Sequence, residues 1–97
     1  MSDSTRHHGR YTLLIVDDDP GQRRLLESFL RSQGFQTTTA THAEEALALL
    51  DRKPHDMVIS DVRMPGMTGL EMLQRVRASH PTLPVLLVTA YSDIRDA

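Results

Sequence analysis

The sequence predicts an open parallel α/β sheet in one small domain, and three observations carry that prediction. Short aliphatic runs (Leu13-Leu14-Ile15-Val16, Met57-Val58-Ile59 and Val85-Leu86-Leu87-Val88) alternate with segments of helical period. Each run leads into residues that bear chemistry: Asp17-Asp18-Asp19, Ser60-Asp61 and Thr89. The chain has 97 residues, which leaves room for a single core. Continuous apolar runs bounded by turn signals suit strands buried on both faces, as in parallel sheets.

Taken in order, residues 1–10 read as a flexible polar arm; its adjacent His7 and His8, with no third ligand, make a poor metal site. The first strand follows. Asp19-Pro20 then supplies an N-cap and a first helical residue, and Gly34 a stop. Between them Leu25, Leu26, Phe29 and Leu30 form an apolar stripe at helical spacing. Gln36-Thr37-Thr38-Thr39 is β-branched but polar, which suits an edge strand. Thr41-His42-Ala43-Glu44 has a capping-box pattern ahead of Ala46, Leu47, Leu49 and Leu50. Gly69, Met72, Leu73 and Val76 mark a third helix ending before Pro81, and Ser92-Asp93 could open a fourth. The resulting order, β-α-β-α-β-α-β, calls for crossover connections and a parallel sheet covered by helices.

Composition narrows the function. Hydrophobic residues are 39% and charged residues 25%, a globular balance, while an aromatic share of 4% demands an aliphatic core. A formal charge of −2 supplies no field for nucleic acid, so direct nucleic-acid binding by this segment is not expected. The absence of cysteine removes disulfides, thiolate zinc sites and thiol nucleophiles together. The longest unbroken apolar run, residues 46–50, is too short to span a membrane, and residues 1–10 lack the apolar core of a signal. A soluble, cytoplasmic domain is the expectation.

In an open parallel sheet the loops after the strands' carboxyl ends gather at one edge, where ligands bind. That edge receives Asp17, Asp18, Asp61 and Thr89. Carboxylates sharing a pocket repel one another unless a cation joins them, and all-oxygen ligands favour a hard ion such as Mg²⁺. A carboxylate beside that ion can accept a phosphoryl group, and a threonine hydroxyl can donate to its oxygens. Asp19 is better explained as a helix cap.

Three segments resemble the receiver domain of two-component response regulators. They are Leu14-Ile15-Val16-Asp17-Asp18-Asp19-Pro20, the stretch Val58-Ile59-Ser60-Asp61-Val62-Arg63-Met64-Pro65-Gly66-Met67-Thr68-Gly69, and Pro84-Val85-Leu86-Leu87-Val88-Thr89-Ala90. The resemblance covers residues 11–97 and implies a flavodoxin-like three-layer sheet of order 2-1-3-4. It implies that Asp61 is the phosphoacceptor for a sensor histidine kinase, with Mg²⁺ held by Asp17, Asp18, Asp61 and the backbone carbonyl of Arg63. Thr89 matches the switch hydroxyl beside small Ala90, and Arg63 and Tyr91 match positions that tune the lifetime of the aspartyl phosphate. Residues 89–97 are similar to receivers attached to nucleotide-hydrolysing transcriptional activators, so an output domain in a longer parent chain is implied.

A complete receiver resembling this chain would continue through a fifth strand, carrying a Lys that contacts the phosphoryl group, and a fifth helix. The chain ends before both, and its one lysine, Lys53, belongs at the opposite edge with His55 and His80, which read as surface residues. His42 lies on the site's side but reads as a helix start. Without a fifth strand the run at residues 85–88 becomes an open sheet edge, a route to a homodimer. Two other readings compete with phosphoryl signalling. A phosphorylation-incompetent fragment would serve docking or dimerisation alone. A Mg²⁺-dependent phosphohydrolase of the haloacid dehalogenase type would place a second Asp two positions after the nucleophile, where this sequence has Arg63. The domain is therefore expected to act as a phosphoacceptor and not as an enzyme.

Overall fold

β1 spans Thr12–Val16, β2 Gln36–Ala40, β3 Met57–Asp61 and β4 Val85–Val88; α1 spans Pro20–Ser32, α2 Ala43–Arg52 and α3 Gly69–Ser79. The structure, a computed structural model, describes residues 11–88, so the amino-terminal arm, Thr89, Ala90, Tyr91 and the helix expected near Ser92 lie outside the described residues. Every pairing is parallel and the strand order is β2-β1-β3-β4, the order of a flavodoxin-like sheet. Because strand side chains alternate, Leu14, Val16 and Val58 enter one core with Ala46, Leu50, Met72 and Val76 of α2 and α3. Leu13, Ile15 and Ile59 enter a second core with Leu26 and Leu30 of α1. Helices therefore cover both faces, and β1 is buried along its whole length.

Local chemistry sets the helix ends. The Asp19 carboxylate accepts from the Gln22 N–H, Pro20 opens α1, and Gly34 stops it at a φ of 97°, a conformation that a side chain resists. The cap of α2 is displaced by one residue from the expected box. His42 is the N-cap and its Nδ1 accepts from the Glu45 N–H at 3.2 Å, while Glu45 Oε1 accepts from the N–H and hydroxyl of Thr41. An imidazole nitrogen can fill the role of a hydroxyl here, so the Thr41–Glu44 spacing pointed to the wrong pair. These bonds to Thr41 hold the Glu45 carboxyl below its usual range. α3 carries a full capping box between Thr68 and Glu71, a T-x-x-E spacing legible in the sequence.

Two further expectations need correction. The stripe on α1 splits: Leu26 and Leu30 pack against the sheet, whereas Leu25 and Phe29 are 72% and 59% exposed. A helix turns 100° per residue, and Glu27 and Arg31 bond to Thr37 on β2, so Leu25 and Phe29 are rotated away from β2 and off the sheet. β4 is also not buried on both faces. Val85 packs into the core beneath α3, but Leu86 and Val88 on the alternate face are exposed.

At the amino-terminal edge, Asp56 accepts the Thr12 N–H at 2.8 Å through Oδ2. His55 is half-buried rather than a surface residue: its Nδ1–H donates to the Lys53 carbonyl at 3.1 Å and its Nε2 accepts from the Thr38 hydroxyl at 2.8 Å. Burial lowers the His55 pKa, because the charged imidazolium is the costlier form there. Lys53 caps α2 at this same edge, far from the acids, as expected.

Candidate functional site

In a sheet of order 2-1-3-4 the chain leaves β1 for β2 on one side and leaves β3 for β4 on the other, so a crevice opens between the carboxyl ends of β1 and β3. Asp17 and Asp18 follow β1 directly and Asp61 is the last residue of β3. Parallel pairing of Val16 with Ser60 fixes their relative height. Carboxylate oxygens of Asp17, Asp18 and Asp61 consequently lie within 4.8 Å of one another, with Asp17 and Asp61 buried and Asp18 exposed. Three of the sequence-predicted acids are thereby brought together.

Hydrogen bonds hold this arrangement. Asp17 Oδ1 accepts from the Asp19 N–H at 2.9 Å, and Asp61 Oδ1 from the Arg63 N–H at 3.2 Å. The Asp17 N–H donates to the Ala40 carbonyl at 3.1 Å, and the Val62 N–H to the Val88 carbonyl at 3.0 Å, anchoring both strand ends to their neighbours. Arg23 contributes a support that sequence reasoning missed: its guanidinium donates to the Asp17 carbonyl at 2.8 Å. The available signal was its place one turn beyond the Asp19 cap, on the helix end nearest the acids. Asp19 acts as the cap of α1, as expected. Thr89 follows Val88, the register partner of Asp61.

The Asp17 pKa is raised, first by burial and then by the charges of Asp61, Asp18 and Asp19, against the lowering effect of the Asp19 N–H. A hard divalent cation would reverse that balance by giving each carboxylate an opposite charge at ligand distance. The donor set, all oxygen and with an exposed member on the solvent side, fits Mg²⁺, which keeps several waters. A groove lined by Asp18, Thr41, His42, Glu44, Pro65 and Gly66 runs beside the acids and leaves the solvent side open to a substrate.

Comparison with known proteins identifies the constellation. The profile described as response regulator receiver domain matches residues 13–97. The DNA-binding transcriptional regulator NtrC of Salmonella typhimurium is 45% identical over 80 residues, which is 82% of this chain and 17% of that protein. The chain thus spans a small part of such relatives. The crystal structure of the response regulator TrrA of Thermotoga maritima in complex with Mg(2+)-BeF superposes with a TM-score of 0.81 at 38% identity, covering 89% of this chain and 75% of that one. TrrA in its crystal structure with the histidine kinase ThkA gives a TM-score of 0.79 at 38% identity, covering 84% and 70%.

Proposed function

The chain belongs to the response regulator receiver domain family, a family of two-component signalling modules, and on that premise we propose that Asp61 accepts a phosphoryl group from the phosphohistidine of a sensor kinase. The single observation that carries this reading is the convergence of Asp17, Asp18 and Asp61 within 4.8 Å at the switch point of the sheet. An Asp61 carboxylate oxygen attacks phosphorus. An O–P bond forms as the P–N bond to the donor imidazole breaks, and the bonding pair returns to the imidazole nitrogen. Asp17, Asp18, Asp61 and the Arg63 carbonyl would hold Mg²⁺, which when bound neutralises charge on the phosphoryl oxygens. Burial keeps Asp61 and Asp17 away from competing water, and the Arg63 N–H orients the Asp61 carboxylate. Thr89 is the hydroxyl assigned to the phosphoryl group, through which the added charge of about −1.5 to −2 biases the following segment.

In this reading the domain is an acceptor rather than a turnover catalyst. Its partners are a histidine kinase, as in the ThkA complex of TrrA, and an output domain in a longer chain, as the length of NtrC suggests. A cytoplasmic setting goes with relatives named as DNA-binding transcriptional regulators.

The test is the intact mass after incubation with acetyl phosphate and Mg²⁺. One phosphoryl addition is expected, absent without Mg²⁺ and absent in Asp61→Asn. No addition to the folded chain would overturn the reading in favour of a docking module.

A further inference from the structure

The turn after Asp61 is braced by a contact of backbone on backbone. Gly69, the first residue of α3, donates its N–H to the Val62 carbonyl at 2.9 Å. A Cβ built on Gly69 would run into the carbonyl oxygen of Asp61, and would stand 3.0 Å from Val62 Cα and 3.3 Å from Asp61 C. None of these is the movable end of a side chain, so the backbone at residues 61–62 would have to shift. The same Asp61 carbonyl accepts from the buried Ser60 hydroxyl at 2.9 Å, which limits its escape. Turning the 61–62 peptide carries Val62 and Arg63 with it, and the Arg63 N–H is the donor to Asp61 Oδ1.

We propose that Gly69 is a positioning residue of the phosphoryl-accepting site: its bare Cα lets the start of α3 press on the Asp61 carbonyl, and that pressure fixes the Asp61 carboxylate and the 61–63 turn. This rests on the function proposed above. The need for glycine here is steric and not conformational, because Gly69 begins an ordinary helix while the positive-φ glycines among the described residues are Gly34 and Gly66.

Amide NMR tests it. Mg²⁺ is titrated into the wild type, Gly69→Ala and Gly34→Ala, and followed at the Asp18, Val62 and Arg63 amides. Gly34→Ala strains the stop of α1, outside the acid cluster, and so reports the effect of lost stability alone. Gly69→Ala is expected to weaken Mg²⁺ binding about 10- to 100-fold, as loss of a ligand-orienting contact does. Gly34→Ala should stay within about twofold of wild type, since distant sites act independently. A folded Gly69→Ala with wild-type affinity overturns the proposal, as does an equal loss in both variants. A second measurement needs no variant. Coupling is reciprocal, so Mg²⁺ must slow hydrogen exchange of the Gly69 N–H by a larger factor than that of the Gly34 N–H; an equal effect on both at saturation also overturns it. A wild-type chain that binds no Mg²⁺ overturns the functional reading first, and this positioning role with it.

Discussion

The two edges of the sheet use the same residue types to opposite ends. At the amino-terminal edge, carboxylate and imidazole are turned toward protein partners: Asp56 toward the Thr12 N–H, His55 toward Thr38 and the Lys53 carbonyl. At the carboxyl-terminal edge Asp17, Asp18 and Asp61 are turned toward one another. Side chains that close a hydrogen bond hold loops together. Like charges held in contact raise the free energy of the metal-free site, and that energy returns as affinity for a cation. The difference shows that the work of a polar residue in a parallel sheet is set by which end of a strand it follows.

The largest expected effect breaks the symmetry of charge between the edges. Asp18→Asn should slow phosphoryl uptake from acetyl phosphate at millimolar Mg²⁺ by about 100-fold or more, because several kcal/mol of charge stabilisation are lost. Asp56→Asn should keep the wild-type rate, both read from time courses of intact mass. Equal losses would erase the distinction. Next, Mg²⁺ at about 100 times its Kd should add about 2.7 kcal/mol to unfolding stability in urea, and Asp18→Asn should forfeit most of it. An unmoved midpoint would remove the metal from the account of the carboxyl edge. A smaller effect belongs to the amino edge. Asp56→Ala should cost about 0.5–1.5 kcal/mol through the lost bond to Thr12, with the Mg²⁺ increment unchanged.

The smallest effects have opposite signs at the two edges. The Asp17 pKa is raised from 3.8, so its contribution to metal-free stability is complete below 3.8 and is lost as pH rises through the higher folded value. The His55 pKa is lowered from 6.5, so its contribution is complete above 6.5 and is lost as pH falls through the lower folded value. Urea midpoints against pH should show each slope with its sign. Asp17→Asn should flatten the first and His55→Gln the second. A slope of the same sign at both would contradict the burial that sets them.

Much of this was legible in the chain. The aliphatic runs became β1, β3 and β4, the polar Thr run became the edge strand β2, and Asp19-Pro20 and Gly34 bound α1 as read. The acids Asp17, Asp18 and Asp61 were picked out because each follows a strand. Less legible were the features that depend on a partner distant in sequence. His55 is half-buried and bonds to Thr38 of β2; the α2 cap was instead a local ambiguity, with His42 and Thr41 both within reach of Glu45. Leu25 and Phe29 had the same spacing as Leu26 and Leu30 and were left outside the core.

Residue order alone fixes which segments form strands and helices, which residues carry charge, and that acidic oxygen ligands would gather at one edge. Those properties depend on neighbours within about one helical turn or on the two-residue repeat of a strand. The tertiary fold decides the rotation of α1, the meeting of three carboxylates within 4.8 Å, the reach of Arg23 to the Asp17 carbonyl, and the close approach of Gly69 to the Asp61 carbonyl. The carboxylate cluster in particular joins segments whose separation is fixed only when β1 and β3 pair in register, because a one-residue slip would turn every side chain of the strand to the other face.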